Sequence, residues 1–231
     1  MTTLGRPVGA DSEQTRRRII TAAMRCVAEV GYSQATIREI ARAAGMTSGS
    51  LYHYFPTKSA LLTATGEEIE AIVAPRLRSA GQQHDHVADR IDAVLDESAR
   101  LIRDYPYLTG FLRALRAEST AQSRCGAAEY PGSRALHDVV TEIVGEARSS
   151  GTLCAETDTR SAAEAICALV RGLSEQADSL RPQAYRAALT SAKRMIRGTL
   201  FAQRLTERPH RDADQHQVLE QELPRQRREH R

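Results

Sequence analysis

Within the stretch GMTSGSLYHYFPTKSALL, residues 45–62, stand two serine hydroxyls with a glycine between them, two phenols, an imidazole and an ammonium: Ser48, Gly49, Ser50, Tyr52, Tyr54, His53 and Lys58. The chain holds only ten aromatic residues, Tyr 7 and Phe 3, and three of them fall at positions 52, 54 and 55. Lys58 is one of two lysines among 32 basic residues. Small hydroxylic side chains on an exposed helix face can read base edges in a groove, and phenol, imidazole and ammonium groups can bond phosphate oxygens.

That chemistry requires a particular set of elements around it. ATIREIARAAG predicts a short helix in which Thr36 caps the start and Glu39, three residues on, completes a capping box. Ile37, Ile40, Ala41 and Ala44 turn inward, and Gly45 ends the helix. Thr47 is the N-cap of a third helix that runs to about Tyr54. Pro56 breaks it, and Thr57 caps a fourth helix starting at Lys58. Residues 37–54 thus fit a helix–turn–helix. Ala41 allows close approach, and Ile40, Ala44, Met46 and Leu51 form the shared seam. Ser48, Gly49, Ser50, Tyr52 and His53 are left outward, a face able to enter a major groove. Tyr52 and His53 can reach phosphates on the groove walls, while Tyr54 and Phe55 pack on the first helix. Lys58 and the N–H groups of its helix start can grip one phosphate together. The plainer alternative makes the aromatics core of a small three-helix unit and leaves Lys58 solvated.

The remainder reads as helix throughout. Residues 1–11 form a flexible arm, and periodicity begins at Ser12 with the stripe Ile19, Ala23 and Val27, reinforced by Ile20, Met24 and Val30 and closed by Gly31. Further helices are expected at 58–79, 87–104, 107–122, 132–150, 158–179 and 182–206, with Pro75 bending or ending the first of these. The expected fold class is all-α with about nine helices and no strand. Residues 12–57 form a head, 58–206 a helical body and 207–231 a disordered polar tail.

Composition narrows the function further. No apolar run of about eighteen residues exists, so no membrane span is expected, and the N-terminus lacks the apolar core of a secretory signal. A cytoplasmic location is expected. Cys26, Cys125, Cys154 and Cys167 show no paired spacing and read as free, mostly buried thiols, with Cys125 in a polar loop. His84–Asp85–His86 lacks further ligands at a metal-binding spacing and reads as a solvated loop; neither metal nor cofactor is expected. Residues 1–60 hold eight Arg/Lys against four Asp/Glu, whereas residues 61–203 hold seventeen against nineteen, so the basic end suits a polyanionic partner.

On TIREIARAAGMTSGSLYHYFPTKSALL, preceded by IITAAMRCVAEVGYSQAT, the chain resembles the TetR family of bacterial one-component transcriptional regulators over about fifty residues. The resemblance implies a homodimer with two N-terminal DNA-binding heads and a body that binds a small effector and releases the operator. It assigns Arg38 a base contact, Ser48, Gly49 and Ser50 the base-reading start of the recognition helix, and Thr36, Tyr52, His53 and Lys58 contacts to phosphate. Arg16, Arg17 and Arg18 either add phosphate attraction or form a solvated face. Leu101, Tyr105, Phe111, Leu115, His137, Val140, Val144, Ile166 and Val170 are effector-pocket residues or ordinary core. His137 is either the polar group that orients a ligand or a satisfied core histidine. Small-residue faces, Ala162, Ala165, Cys167, Ala168 and Gly172 on one late helix and Ala187, Ala188 and Ala192 on the next, suit the four-helix dimer interface of the family. The expected partners are double-stranded operator DNA, an unidentified apolar effector and a second copy. An enzyme in the body would have only Glu118, His137 and Asp138 as scattered candidates. A DNA-binding protein without an effector is the other alternative.

Overall fold

The computed structural model describes residues 8–122, 133–177 and 179–200. Among these it forms nine helices: α1 (Val8–Val30), α2 (Ile37–Ala43), α3 (Ser48–Tyr54), α4 (Lys58–Gly81), α5 (Val87–Asp104), α6 (Leu108–Gln122), α7 (Ser133–Ser149), α8 (Thr159–Gln176) and α9 (Pro182–Thr199). The all-α class holds: a helix–turn–helix head precedes a helical body. Helix α1 begins four residues before the expected Ser12, so residues 8–11 belong to a helix and not to an arm. The rest of that arm, Cys125 and the polar tail lie outside the described residues.

Hydroxyl and carboxylate side chains set the helix starts. The Thr36 hydroxyl accepts from Glu39 N at 3.2 Å, and Glu39 Oε2 accepts from Thr36 N at 3.0 Å, the expected capping box. Thr47 accepts from Ser50 N at 3.1 Å, Thr57 from Ala60 N at 3.0 Å and Asp158 from Ser161 N at 2.8 Å. Each bond satisfies a donor that the first helical turn leaves without a partner. Gly45, with φ 66°, makes the left-handed turn between α2 and α3 that a side chain would strain.

Pro75 does not end α4, which runs on to Gly81. A proline inside a helix costs about 3 kcal/mol, whereas each fully buried aliphatic side chain contributes about 1.5–3 kcal/mol. Val73, Ala74, Leu77 and Ala80, all buried on either side of Pro75, outweigh the break. The first-helix stripe is as expected, with Ile19, Ala23 and Val27 at 0 % exposure, but Val30 is 48 % exposed because the last turn of α1 carries it out of the stripe.

Helix α1 packs on α2, α4 and α6, and α7 packs on α8, α4 and α5. The apolar residues of head and body join one continuous core. Ion pairs lace the body helices together. Arg76 of α4 bonds Glu97 at 2.5 Å and Asp104 at 2.9 Å, Arg116 of α6 bonds Glu175 of α8 at 2.9 Å, and Arg90 of α5 bonds Glu146 of α7. Along α9, Lys193 meets Asp96 at 2.5 Å, and Arg197 meets Asp89 and Asp92 at 2.5 and 2.7 Å. Burial would push the Glu97 carboxyl up, yet hydrogen bonds from Arg100 and Arg76 prevail and hold it below the ordinary carboxylate range.

Candidate nucleic-acid interface

The head exposes a polar surface over an apolar floor. Leu51 of α3 is fully buried, and Ile40 and Ala41 of α2 and Ala44 just after it belong to the same core. Burial of Leu51 leaves the opposite side of α3 to solvent, where Gly49, Ser50, Tyr52 and His53 are exposed and Ser48 half-buried. Tyr52 is 50 % exposed, which leaves its phenol open to an incoming partner. The neighbouring aromatics turn the other way. Phe55 is buried beneath the Arg16 guanidinium, which lies 4.8 Å from its ring centre, and half-buried Tyr54 packs against the core. His53 meets Tyr54 edge-on with ring centres 5.8 Å apart, so its imidazole is oriented although exposed. The four aromatic residues therefore divide between solvent-facing and core-facing positions.

Arg38 is exposed in the first turn of α2, beside the exposed Thr36. The Thr36 hydroxyl donates to Glu39 Oε2 at 2.8 Å, so a phosphate at this cap competes with a carboxylate for that proton. Hydrogen bonds from the Thr36 hydroxyl and backbone hold the Glu39 carboxyl below its usual range. The Ser50 hydroxyl likewise lies 2.9 Å from that of Thr47, which orients it. Within the basic cluster, Arg16 lies over Phe55 and Arg17 pairs with Glu13 at 3.2 Å.

Lys58 holds contacts that its sequence context did not announce. Its Nζ donates to Tyr32 O at 2.5 Å and to Ser33 O at 3.2 Å, and lies 5.1 Å from the centre of the Tyr32 ring. An ammonium carries three N–H donors, so a phosphate contact from this position falls to the third. The accepting carbonyls lie in the turn past the end of α1, 26 and 25 positions before Lys58, so no local signal in the sequence marks the contact.

In the body, Leu101, Phe111, Val140, Val144, Ile166 and Val170 are buried, while Tyr105 and Leu115 are half-buried against the same core. His137 does not face that interior. Its side chain is 37 % exposed with Nε2 3.5 Å from Glu164 of α8, because position 137 falls at the edge of the buried α7 stripe of Ala135, Val139, Val140, Ile143 and Val144. The small-residue faces also divide. Ala162 and Cys167 share the inward stripe of Ile166 and Val170, and Ala192 is buried too, whereas Ala165, Ala168, Gly172 and Ala187 are exposed and Ala188 is half-buried. Of the described thiols only Cys167 is buried, which pushes it up to about 11; Cys26 and Cys154 are half-exposed. His84, Asp85 and His86 are solvent-exposed. Among the described residues no cluster of three metal-ligating side chains occurs, and no helix is long and apolar enough to cross a membrane.

Residues 19–65 match the sequence profile of the bacterial regulatory proteins, tetR family. The chain is 40 % identical over 98 residues to the HTH-type transcriptional repressor Rv1474c of Mycobacterium tuberculosis, spanning 39 % of this chain and 52 % of that one. It is 39 % identical over 84 residues to the HTH-type transcriptional regulator BetI of Klebsiella pneumoniae, spanning 36 % of this chain and 38 % of that one. The chain thus spans about half or less of the length of these curated relatives. Its fold is similar to that of SmeT, the repressor of a multidrug efflux pump of Stenotrophomonas maltophilia. The TM-score is 0.61 at 24 % identity, covering 81 % of this chain and 90 % of that one.

Proposed function

We propose, from the premise that this chain belongs to the TetR family of bacterial regulatory proteins, that it is a sequence-specific DNA-binding regulator of transcription. In this reading it is a repressor that leaves its operator when a small apolar ligand binds the body. The observation that carries the reading is the outward face of α3: hydroxyls, an exposed phenol and an imidazole stand on a helix whose other side is sealed by Leu51. Ser48, Gly49 and Ser50 face the bases together with Arg38, while Tyr52, His53, Thr36 and the third N–H of Lys58 contact phosphates. The sequence relative named as a repressor supports the direction of regulation.

A second copy docks through α8 and α9. Supporting this, the small residues Ala165, Ala168 and Gly172 of α8 and Ala187 of α9 are exposed, and so is Met195 of α9, at 62 %. Leu101, Tyr105, Phe111, Leu115, Val140, Val144, Ile166 and Val170 line the region that admits the effector, with His137 reaching it only from its edge. The chain acts by binding and not by catalysis, without a cofactor.

The test is selection of duplexes from a random library by the purified chain, followed by anisotropy titration at several salt concentrations. Affinity falls steeply as salt rises, because phosphates are neutralised by basic side chains. Recovery of no preferred sequence, or a salt-independent affinity, sinks the reading. A thermal-shift screen of apolar compounds then tests the effector part, since a ligand at 100 times its Kd stabilises by about 2.7 kcal/mol.

A further inference from the structure

The end of α1 and the turn after it meet α6 at three points that follow the same order along both segments. The Arg25 guanidinium lies 5.8 Å from the ring centre of Tyr107, just before α6. A Cβ on Gly110 would stand 2.9 Å from Ala28 Cβ and 3.2 Å from Ala28 Cα, so glycine is what permits this approach. The Ser33 hydroxyl donates to Glu118 Oε2 at 2.7 Å. At about 1.5 Å of rise per residue the three contacts extend along about 16 Å of helix. They differ in kind (a cation over a ring, a backbone-close apolar contact and a charge-assisted hydrogen bond), which fixes the register of one segment on the other.

The turn held this way is also the one gripped by Lys58, at Tyr32 O and Ser33 O. Lys58 opens α4 shortly after the recognition helix, and Thr36, which caps α2, stands three residues beyond Ser33. Helix α6, the α1–α2 turn and the start of α4 therefore converge on residues 32–33.

We propose that Ser33, Gly110 and Glu118 are positioning residues: the seat of α1 on α6 sets the angle at which the body holds the head. The separation of half-sites that two heads can span follows from that angle. The inference deepens the DNA-binding reading and rests on it for this last step only.

The test compares the full chain as wild type, Ser33→Ala, Ser33→Thr and Gly110→Ala. Hydrogen exchange at the backbone amides of residues 31–36 needs no DNA. Ser33→Ala raises it about fivefold, the factor that one net hydrogen bond contributes. Ser33→Thr, which keeps the donor, restores the wild-type rate. Alanine is the better helix former, so faster exchange in Gly110→Ala reports the collision with Ala28. The second readout is selection from duplexes whose half-sites stand at varied separations. Gly110→Ala shifts the preferred separation, whereas simple destabilisation weakens all separations alike. Unchanged exchange in both Ser33→Ala and Gly110→Ala overturns the proposal, as does raised exchange with an unshifted separation. If the wild type selects no duplex while exchange responds as stated, the seat stands and the DNA-binding reading fails.

Discussion

The head and the body solve the problem of holding helices together with different chemistry. In the head, α2 and α3 have seven residues each, too short to persist alone. Their starts are closed by the Thr36 and Thr47 hydroxyls, and their shared seam places Ile40 and Leu51 at 0 % exposure. The body instead uses helices of 15 to 24 residues, and ion pairs such as Arg76–Glu97, Lys193–Asp96 and Arg197–Asp92 run between them. In the body Arg76, Arg90, Arg116, Lys193 and Arg197 are spent on its own acids, which outnumber basic residues nineteen to seventeen over residues 61–203. The basic groups of the head are in excess, eight against four over residues 1–60, and that excess is available to a polyanion.

The comparison can be broken most directly at Leu51. Leu51→Ala removes the floor of the recognition helix and costs about 2–5 kcal/mol, read as a lowered urea midpoint with loss of duplex binding. A variant of wild-type stability would show that the head does not depend on its seam. Next comes Glu97, the buried acid between Arg76 and Arg100. Glu97→Ala costs about 1–3 kcal/mol, because charged donors are left without their acceptor. Its folded-state pKa lies below the ordinary value, so its stabilising effect is complete above about pH 4.3, the unperturbed glutamate value, and is lost as pH falls through the folded value. Urea midpoints at pH 7 and pH 3.5 should therefore drop less between the two in Glu97→Gln than in wild type; equal drops would remove Glu97 from the acid response.

Thr47→Ala follows at about 1 kcal/mol, the usual worth of an N-cap, and it weakens duplex binding more than it lowers the melting temperature. A purely global loss, with binding unaffected at saturating protein, would contradict a local role for this cap. The smallest effect belongs to the clasp of α9. Lys193→Met costs no more than about 1 kcal/mol, because the pair is still partly open to solvent, and the difference from wild type shrinks in 1 M salt. A larger difference at high salt would mean that packing and not charge holds α9 to α5.

Much of this architecture was legible in the sequence because its signals are local. Thr36 with Glu39, Thr47 and Thr57 each bond a backbone N–H within three residues, and Gly45 marks its turn by backbone sterics alone. What could not be read is what depends on partners far along the chain. Pro75 is carried through α4 by neighbours buried against other helices. His137 is turned toward Glu164 by the packing of α7 on α8. The small residues of α8 divide between inward and outward faces according to where Ile166 and Val170 are drawn. Ser33 and Glu118 are 85 positions apart, a distance no periodicity reports. The outward face of α3 was foreseen, but the fastening of Lys58 to the α1–α2 turn was not.

That fastening has a practical corollary. The whole chain contains two lysines, and both side-chain amines are engaged at joints: Lys58 on the carbonyls of Tyr32 and Ser33, Lys193 on Asp96. A lysine-specific protease thus has two places to cut, one where the head passes into the body and one within α9. Amine-reactive dyes have, besides the chain's own α-amino group, the same two targets. Digestion and labelling rates at these two positions accordingly serve as native gauges of how tightly each joint is closed, with no probe introduced.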